Sequence, residues 1–320
     1  MTPENQSKQK IFAVLFVVLL FLLVGSLFLT ISIKNKKKTE NLKNTVLKQK
    51  KEQDLIRRLG QITSSTSTES ILTSKSFITI LVTNNGTEKI LAEKNSNLVL
   101  PIASLTKLLV ALVTVENLDL EAEVTVTTDY IGLEESAFIL EPERRYKVKD
   151  LLANALISSD NDSARLLASI LGTENFVSKM NNKATELGLT QTHFVNPTGL
   201  DPIDLSSEMN VSTATDLVKL LIYIKNNQPS ILKITTKDSY EICDTGNYCK
   251  VVLSTNKLLT YENFPFRIIG GKTGNTELAG KNLVLINSIS SDIFLINIVL
   301  GAENNFTDTI SLINNIKIKN

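Results

Sequence analysis

The chain has 320 residues, of which 42% are apolar and 21% are charged, and its formal net charge is +1. This length and composition favour one sizeable globular domain with appendages, or at most two modest domains. A net charge so close to zero excludes any whole-protein electrostatic argument for nucleic-acid binding.

The first predicted element is an uncharged stretch from Ile11 to Ile33. At about 1.5 Å per residue, a helix of that length reaches about 34 Å and spans a hydrocarbon core of about 30 Å. A cleaved signal peptide is the alternative, but its apolar region is usually about 7–15 residues long and ends at a small-residue cleavage site. This stretch continues directly into the sequence KNKKK. We therefore predict a short cytoplasmic tail at residues 1–10 and an uncleaved transmembrane anchor at residues 11–33.

The lysines around this span conflict with that tail assignment. Lys8 and Lys10 precede the span, whereas four lysines follow it within residues 34–38. Counting these charges alone would leave the C-terminal side in the cytoplasm. The charge rule weakens when a large domain must be moved across the membrane, so the flanking lysines leave the orientation open.

Residues 34–76 are predicted to form a lysine-rich stalk and a linker. The apolar positions of the stalk are sparse and form only a thin stripe, which favours a solvated helix over a packed one. Pairing with a partner helix and contact with lipid headgroups are the alternatives. The sequence TSSTSTES that follows is typical of a flexible tether.

The globular part is predicted to begin at Phe77 and to extend to the end of the chain, over residues 77–320. The run FITILV, the Asn-Gly turn signal in TNNGTE and the run KILAE predict a β-hairpin. After Pro101, leucines and a valine recur at three- and four-residue spacing and predict a helix. Ser104 falls in the first turn of that helix, with Lys107 one turn further on.

Two interpretations of Ser104 remain open at this point. Serine is a preferred helix N-cap, so Ser104 can be an ordinary capping residue. Alternatively it is a nucleophile, and Lys107 is its base on the same helix face, since an amine held among apolar groups can accept a proton. The same spacing recurs elsewhere in the chain, at Ser7/Lys10, Ser230/Lys233 and Ser254/Lys257. The Ser-x-x-Lys spacing alone therefore does not distinguish the nucleophile from the capping residue.

Two further segments carry polar residues in apolar surroundings. In residues 146–172 the sequence SSDND interrupts two helical patterns and places Ser159, Asp160 and Asn161 in the turn between them, where capping is the simpler interpretation. In RIIGGKTGNT a predicted strand runs into Lys-Thr-Gly, and two more strands follow it. These strands predict an antiparallel sheet whose edge carries Lys272, although a lone tripeptide of this kind can also form a turn.

Together and in this order, Ser-x-x-Lys, Ser-Asp-Asn and Lys-Thr-Gly are the three motifs of penicillin-binding proteins and serine β-lactamases. Four further stretches strengthen the resemblance: residues 192–201, 212–221, 254–259 and 270–286. With them, residues 77–310 resemble the D-alanyl-D-alanine carboxypeptidases, the low-molecular-weight penicillin-binding proteins. The resemblance implies an α+β fold, with a mostly antiparallel sheet, flanking helices and an inserted all-α region between the first and third motifs.

The resemblance also implies a role for each catalytic residue. Ser104 is expected to attack the carbonyl between two terminal D-alanines, with Lys107 as its base. Ser159 is expected to relay a proton to the leaving amine. The backbone N–H groups of Ser104 and Asn275 are expected to stabilise the oxyanion, where one donor is typically worth ~3 kcal/mol.

The remaining implied residues bind the substrate. Asn161 is expected to hold the peptide amide, and Lys272 and Thr273 to grip the terminal carboxylate. Gly274 lets a backbone or a ligand approach the strand closely, and Asn275 is the last of the expected substrate-binding residues. The resemblance implies neither a metal nor an organic cofactor.

The implied function is removal of the terminal D-alanine from peptidoglycan stem peptides, with β-lactams as further ligands. A class A-like β-lactamase is disfavoured because its deacylating glutamate has no counterpart between Glu186 and Glu208. A penicillin-binding sensor, or a wall-binding protein that acylates without turnover, is the other alternative. The sensor alternative is disfavoured because the predicted cytoplasmic tail has only ten residues, too few for a signalling domain.

The implied substrate places the catalytic domain outside the cytoplasm, on a single-pass protein of the cell membrane. In that location Cys243 and Cys249 can form a disulfide across the turn DTGNY, and two unpaired thiols are the alternative. The single histidine, His193, is expected to have a structural role.

Overall fold

The structure is a computed structural model. It describes residues 26, 30–47, 49–50, 53–54, 72–132, 140–204, 206–262 and 264–315. The chain divides into two compact units, Met1–Arg57 and Arg58–Asn320.

In the first unit, residues 30–47 form a continuous helix whose side chains are all exposed. Three of its threonines donate their hydroxyls to the carbonyl four residues earlier: Thr30, Thr39 and Thr45. Residues 30–33 of this helix belong to the predicted anchor and residues 34–47 to the predicted stalk. Within the described part of the chain, no helix combines the length and hydrophobicity that a membrane span requires. The predicted anchor at residues 11–33 lies mostly outside the described residues.

The second unit is built on a five-stranded antiparallel sheet. Its strands are β1 (Ser76–Thr83), β2 (Glu88–Lys94), β9 (Arg267–Thr276), β10 (Gly280–Ser288) and β11 (Ile293–Ala302). Their order in the sheet is β2-β1-β11-β10-β9. The predicted hairpin and the three predicted C-terminal strands are therefore confirmed. Strand β9, which carries Lys-Thr-Gly, lies at the sheet edge as expected.

Alternation along the central strands gives the sheet two buried faces. On β11, Ile296 and Ile298 contact the main core, whereas Val299 belongs to a smaller cluster on the opposite face. Phe77 and Leu72 pack in that smaller cluster. Leu72 falls within the predicted linker, residues 34–76, and is buried in this cluster.

The described part of this unit also contains seven α-helices. They are α1 (Lys107–Asn117), α2 (Val148–Ile157), α3 (Asn161–Ser169), α4 (Thr173–Glu186), α5 (Ala214–Asn227), α6 (Pro229–Thr235) and α7 (Asn305–Asn314). Helix α1 is buried over its first eight residues because its apolar positions surround the whole helix. It forms the centre of the main core, while α7 packs against β10 and β11 on the other side of the sheet.

The region between the first and third motifs is not all-α, which corrects the expectation. It contributes β6 (Val211–Ser212), which pairs with β3 (Leu100–Pro101). It also contains two small antiparallel pairs, β4 (Glu123–Thr125) with β5 (Arg145–Lys147), and β7 (Ser239–Cys243) with β8 (Cys249–Leu253). These strands are two to five residues long, so they leave little periodicity in the sequence.

The predicted disulfide is present in this region. Cys243 and Cys249 face each other in the register of β7 and β8, and they are joined with their Cα atoms 4.0 Å apart. The bridge closes the hairpin around the turn that the sequence placed between the two cysteines. The alternative of two unpaired thiols is therefore wrong.

Truncation of a central core residue is expected to destabilise the domain. Ile296 on β11 is 0% exposed, so Ile296→Ala leaves a cavity and should lower the free energy of unfolding by roughly 2–5 kcal/mol. The control is Val251→Ala on β8, where the side chain is 64% exposed and the expected change is within about 0.5 kcal/mol. Urea denaturation measures both, and equal losses would contradict the assigned core.

Candidate active site

Ser104 lies on a short 3-10 helix, Ala103–Thr106, that leads directly into α1. The N-cap positions of the two helices belong to Ile102 and Thr106, so Ser104 is not a capping residue. Ala103 has a φ of +48°, a conformation that side-chain-bearing residues rarely adopt. Strain of this kind persists only where surrounding structure holds it, and here it lies beside the predicted nucleophile.

Lys107, the first residue of α1, is fully buried and its amine lies against the Ser104 hydroxyl. Its Nζ donates to Ser104 Oγ at 2.8 Å, to Asn161 Oδ1 at 2.7 Å and to the Thr198 carbonyl at 2.9 Å. These contacts orient the amine toward the serine. The predicted serine–lysine pair is therefore assembled, and the amide of Asn161 from the second motif is part of the same cluster.

The second motif forms the predicted turn between α2 and α3. Asp160 is the N-cap of α3 and accepts a hydrogen bond from the Ser163 N–H at 2.7 Å, so the capping interpretation is correct for this residue. Ser159 has a φ of +66°, in the left-handed region, and lies between the two helices. The buried Asn154 of α2 donates to the hydroxyl of Ser163 on α3 at 2.8 Å, and this hydrogen bond links the two helices that flank the turn.

Lys272 of the third motif contacts Ser159. Its Nζ donates to Ser159 Oγ at 2.8 Å and to the Thr273 carbonyl at 2.9 Å, and the side chain is only 1% exposed. Burial lowers the pKa of Lys272 well below its usual value, and the charge of Lys107 lowers it further. Both effects favour the neutral amine. An anion bound nearby would favour the protonated form instead.

Gly274 is required where β9 passes the 3-10 helix. A Cβ atom at this position would lie 2.7 Å from the Ile102 carbonyl oxygen and 3.1 Å from the Ser104 nitrogen. Both neighbours are backbone atoms, which cannot rotate away from the clash as the end of a side chain could. The absence of a side chain at Gly274 thus allows the third motif to approach the serine.

The three motifs line one cleft of about 370 Å³. The predicted residues on its surface are Ser104, Ser159, Asn161, Thr273, Gly274 and Asn275, and they are joined there by Leu200, Thr255, Lys281, Asn305 and Phe306. Neither Lys107 nor Lys272 lines the cleft, and both lie buried behind the two serines. The structure thus brings all eight predicted residues together and places both amines beneath the surface.

The loop at residues 196–199 is a part of the site that sequence analysis missed. The Asn196 Oδ1 accepts from the Thr198 N–H at 3.0 Å and from the Gly199 N–H at 2.7 Å, and this fixes the Thr198 carbonyl that contacts Lys107. Gly199 has a φ of +84°, and a Cβ there would lie 2.0 Å from the Ala103 oxygen. The sequence NPTG signals a turn, but it does not reveal which carbonyl meets the lysine.

Thr255 is the second missed residue. It follows β8 and precedes a 3-10 helix, Lys257–Thr260, and its hydroxyl oxygen lies 2.5 Å from that of Thr273. A threonine between a strand and a turn is too common for its sequence to indicate a site.

His193 and the potential metal ligands lie outside this cleft. His193 pairs with Val211 in an isolated β-bridge, and its imidazole is 53% exposed. Among the described residues, one group with metal-ligand spacing contains Glu241 together with Cys243 and Cys249. The disulfide joins those two sulfur atoms, so the group lacks the free thiolates that a metal site needs.

Comparison with protein families agrees with this geometry. Residues 63–304 match the family model described as D-alanyl-D-alanine carboxypeptidase. The chain belongs to the D-alanyl-D-alanine carboxypeptidase family. It is therefore a hydrolase of the serine peptidase type, as the resemblance in its sequence predicted.

Individual relatives support the same family. The chain is 35% identical over 207 residues to the D-alanyl-D-alanine carboxypeptidase DacB2 of Mycobacterium tuberculosis, covering 64% of this chain and 68% of that relative. It is 34% identical over 219 residues to a D-alanyl-D-alanine endopeptidase of Escherichia coli, with 66% and 67% covered. Among solved structures, penicillin-binding protein D2 of Listeria monocytogenes in its ampicillin-bound form is similar, with a TM-score of 0.66 and 29% identity over 76% of this chain and 97% of that one.

Lys272 of this carboxypeptidase site is expected to lose its proton at a lower pH than a free lysine does. A free lysine side chain has a pKa of about 10.4, and Lys272 should lose its proton well below that value. Since Lys107 contributes its charge, Lys107→Met should raise the pKa of Lys272. Carbon-13 NMR of the lysine ε-carbons measures both, with Lys272→Gln identifying the resonance. Titration of Lys272 at or above the free value would contradict the assigned burial.

Proposed function

We propose that this protein removes the terminal D-alanine from peptidoglycan stem peptides through an acyl-enzyme on Ser104. The observation that carries the proposal is the buried bond between Lys107 Nζ and Ser104 Oγ, at 2.8 Å, on the floor of the shared cleft. A serine hydroxyl is a weak nucleophile until an adjacent base removes its proton. The amine lies within the reach that this transfer requires.

In acylation, Lys107 acts as a neutral amine, whose two N–H groups donate to Asn161 and to the Thr198 carbonyl and whose lone pair faces the Ser104 hydroxyl. It takes the proton of Ser104 as the serine oxygen attacks the carbonyl carbon between the two D-alanines. The oxyanion forms beside the backbone of Ser104 and Asn275, which line the same cleft. Ser159 passes a proton to the nitrogen of the departing D-alanine. Its hydroxyl is suited to this because Lys272 contacts it at 2.8 Å and can replace the proton.

Deacylation reverses these roles, with water as the nucleophile. Water attacks the ester carbonyl and loses a proton through Ser159 to Lys272. The protonated Lys107 returns its proton to the Ser104 oxygen as the ester bond breaks, and the shortened peptide leaves with a new carboxylate. Asn161, held by its bond to Lys107, is placed to orient the amide of the bound peptide. The protonated form of Lys272 attracts the terminal carboxylate, and this restricts cleavage to a chain end.

An endopeptidase activity on cross-linked peptides is a second candidate function. Two relatives, from Escherichia coli and Pseudomonas aeruginosa, are named D-alanyl-D-alanine endopeptidases and are 34% and 35% identical to this chain. The catalytic steps would be the same. The two functions differ in whether the leaving group is free D-alanine or an amine that belongs to a second, cross-linked peptide.

Free D-alanine should be released by the parent enzyme and not by Ser104→Ala. The purified protein is incubated with a D-Ala-D-Ala-terminated peptide, a cross-linked dimer and a β-lactam, and D-alanine, monomer and intact antibiotic are quantified. The substitution should reduce each rate by more than about 10³-fold, since it removes the nucleophile.

The matched control is Ser230→Ala, a Ser-x-x-Lys serine that is exposed on α6 and does not line the cleft, and it should retain activity. Dimer cleavage without D-alanine release would favour the endopeptidase. Stable acylation without turnover would identify a sensor, and rapid antibiotic hydrolysis would identify a β-lactamase.

We further propose that residues 11–33 anchor the protein in the cell membrane as a single-pass helix, after the tail at residues 1–10. The stalk and linker at residues 34–76 then hold the catalytic domain, residues 77–320, outside the cytoplasm. The uncharged length of the span supports this arrangement. The disulfide supports it too, because such bonds persist in oxidising compartments.

A protease added to intact cells should remove the catalytic domain and leave an N-terminal fragment in the membrane. The cut is expected in the Ser/Thr-rich linker, because a flexible exposed tether is a preferred site of cleavage. Immunoblotting with an antibody against the domain measures the loss, and a cytoplasmic protein serves as the control for intact cells. A domain that resists the protease until the cells are lysed would place it on the cytoplasmic side.

A further inference from the structure

Asn210 lies immediately before β6 and is only 2% exposed. It does not line the cleft. Its side-chain amide nevertheless uses both oxygen lone pairs and both N–H groups in hydrogen bonds. The partners belong to two separate parts of the site, the 3-10 helix that carries Ser104 and the chain that enters the loop at residues 196–199. Asn210 is therefore a link between these two parts.

The first group of contacts holds both ends of the 3-10 helix. At its start, the Ile102 N–H donates to the backbone carbonyl of Asn210 at 3.2 Å. At its end, the Asn210 Nδ2 donates to the Thr106 Oγ1 at 2.9 Å. The Thr106 hydroxyl donates in turn to the Ala103 carbonyl at 2.7 Å, and Ala103 is the residue with the unfavourable φ of +48°. Asn210 thus supports the strained turn that precedes Ser104.

The second group of contacts holds the loop that meets Lys107. The Asn210 Oδ1 accepts from the Val195 N–H at 2.7 Å and from the Asn196 N–H at 3.1 Å. The Asn210 Nδ2 also donates to the Asn196 carbonyl at 2.8 Å. The Asn196 side chain orients the backbone of Thr198, and the Thr198 carbonyl accepts from the Lys107 amine. The position of that carbonyl therefore depends on Asn210.

The geometry of proton transfer depends on both groups of contacts. The Ser104 hydroxyl moves with the 3-10 helix, whereas the Lys107 amine is held in part by the Thr198 carbonyl. A base must lie within hydrogen-bond distance of the proton that it removes. Because one buried amide bonds both parts, it fixes the position of one relative to the other.

We propose that Asn210 is a positioning residue for acylation, which keeps the Ser104 hydroxyl and the Lys107 amine at proton-transfer distance. This inference rests on the acyl-enzyme of the proposed function and adds to it a residue outside the cleft. Asn210 acts through Thr106 on one side and through the loop at residues 196–199 on the other. Its loss should therefore slow the chemical step and leave ligand binding nearly unchanged.

The test measures acylation of the full-length protein by a fluorescent penicillin. The dependence of the rate on penicillin concentration separates the dissociation constant of the noncovalent complex from the rate constant of acylation. The fraction of protein labelled at the end of the reaction counts the correctly folded sites. A folding defect lowers that fraction, whereas a misplaced amine lowers the rate constant.

The proteins compared are the parent, Asn210→Ala, Thr106→Val, Thr106→Ser, the double variant Asn210→Ala/Thr106→Val, and Asn287→Ala. Asn287 provides the matched control. It is a fully buried asparagine on β10, its Oδ1 accepts from the Asn297 side chain, and it does not line the cleft.

Asn210→Ala should lower the acylation rate constant roughly 10- to 100-fold, since a small misplacement of a catalytic group can cost about 100-fold. The dissociation constant should change less than about twofold. Thr106→Val should lower the same rate constant, and Thr106→Ser, which keeps the hydroxyl, should restore most of it. Because Asn210 and Thr106 share a hydrogen bond, the double variant should lose less than the product of the two single losses. Asn287→Ala should keep the parent rate constant.

An unchanged rate constant in Asn210→Ala, a change in the dissociation constant alone, or an equal loss of rate in Asn287→Ala would overturn the role of Asn210. A double variant that loses the full product would show that the two residues act independently, and it would overturn the role as well. If Asn210→Ala does not fold, the two Thr106 variants decide. A slow valine variant with a fast serine variant supports the proposal, and equal rates in the two overturn it.

Failure of the proposed function has a separate signature. A parent that is acylated by penicillin but releases no D-alanine from a D-Ala-D-Ala peptide is not a carboxypeptidase, and the result for Asn210 still stands. Labelling of Ser104→Ala at the parent rate would exclude Ser104 as the nucleophile, and the role of Asn210 would then fail with it.

Discussion

Two lysine amines buried behind two serine hydroxyls are the constraint on which the rest of this structure depends. Lys107 contacts Ser104, Lys272 contacts Ser159, and both lysines are almost completely inaccessible to solvent. An ammonium removed from water costs free energy unless it is hydrogen-bonded, and two of them also repel each other. The lowered pKa of Lys272 is a direct consequence. An amine that gives up its proton readily is also what proton transfer at a serine requires.

The surrounding fold offsets this cost by supplying acceptors at fixed positions. The Thr198 carbonyl and the Asn161 amide oxygen complete the contacts of Lys107. Each acceptor is held by its own support, the first by Asn196 and the second by the capped start of α3. Gly274 and Gly199 then let β9 and the loop at 196–199 close onto the 3-10 helix without steric conflict. Such preorganisation is the usual source of electrostatic stabilisation in catalysis.

The family match covers residues 63–304 and therefore contains all eight predicted site residues. The N-terminal stretch that gives the chain its strongest hydropathy signal lies outside that match. The proposed membrane anchor therefore lies in a part of the chain that the family match does not include.

The sequence by itself determined the elements with strong periodicity and the three motifs. The hairpin before Pro101, the three long C-terminal strands and the helix after Ser104 follow from alternation or helical spacing, because these patterns record which face is buried. The order of the three motifs predicted the eight site residues. The positions of Cys243 and Cys249 on either side of a short turn predicted the disulfide between them. The strands of two or three residues were not predicted, since they are too short to show a period.

Only the tertiary structure decided which groups meet. The Thr198 carbonyl belongs to the backbone and has no residue signature, and Thr255 is one of many threonines whose hydroxyl becomes significant only 2.5 Å from that of Thr273. The burial of Lys272 was equally invisible, because the same tripeptide on an exposed strand would carry an ordinary ammonium. The exposure of a side chain and its distance from another group are set by tertiary packing. That packing brings three motifs that are far apart in sequence into one active site.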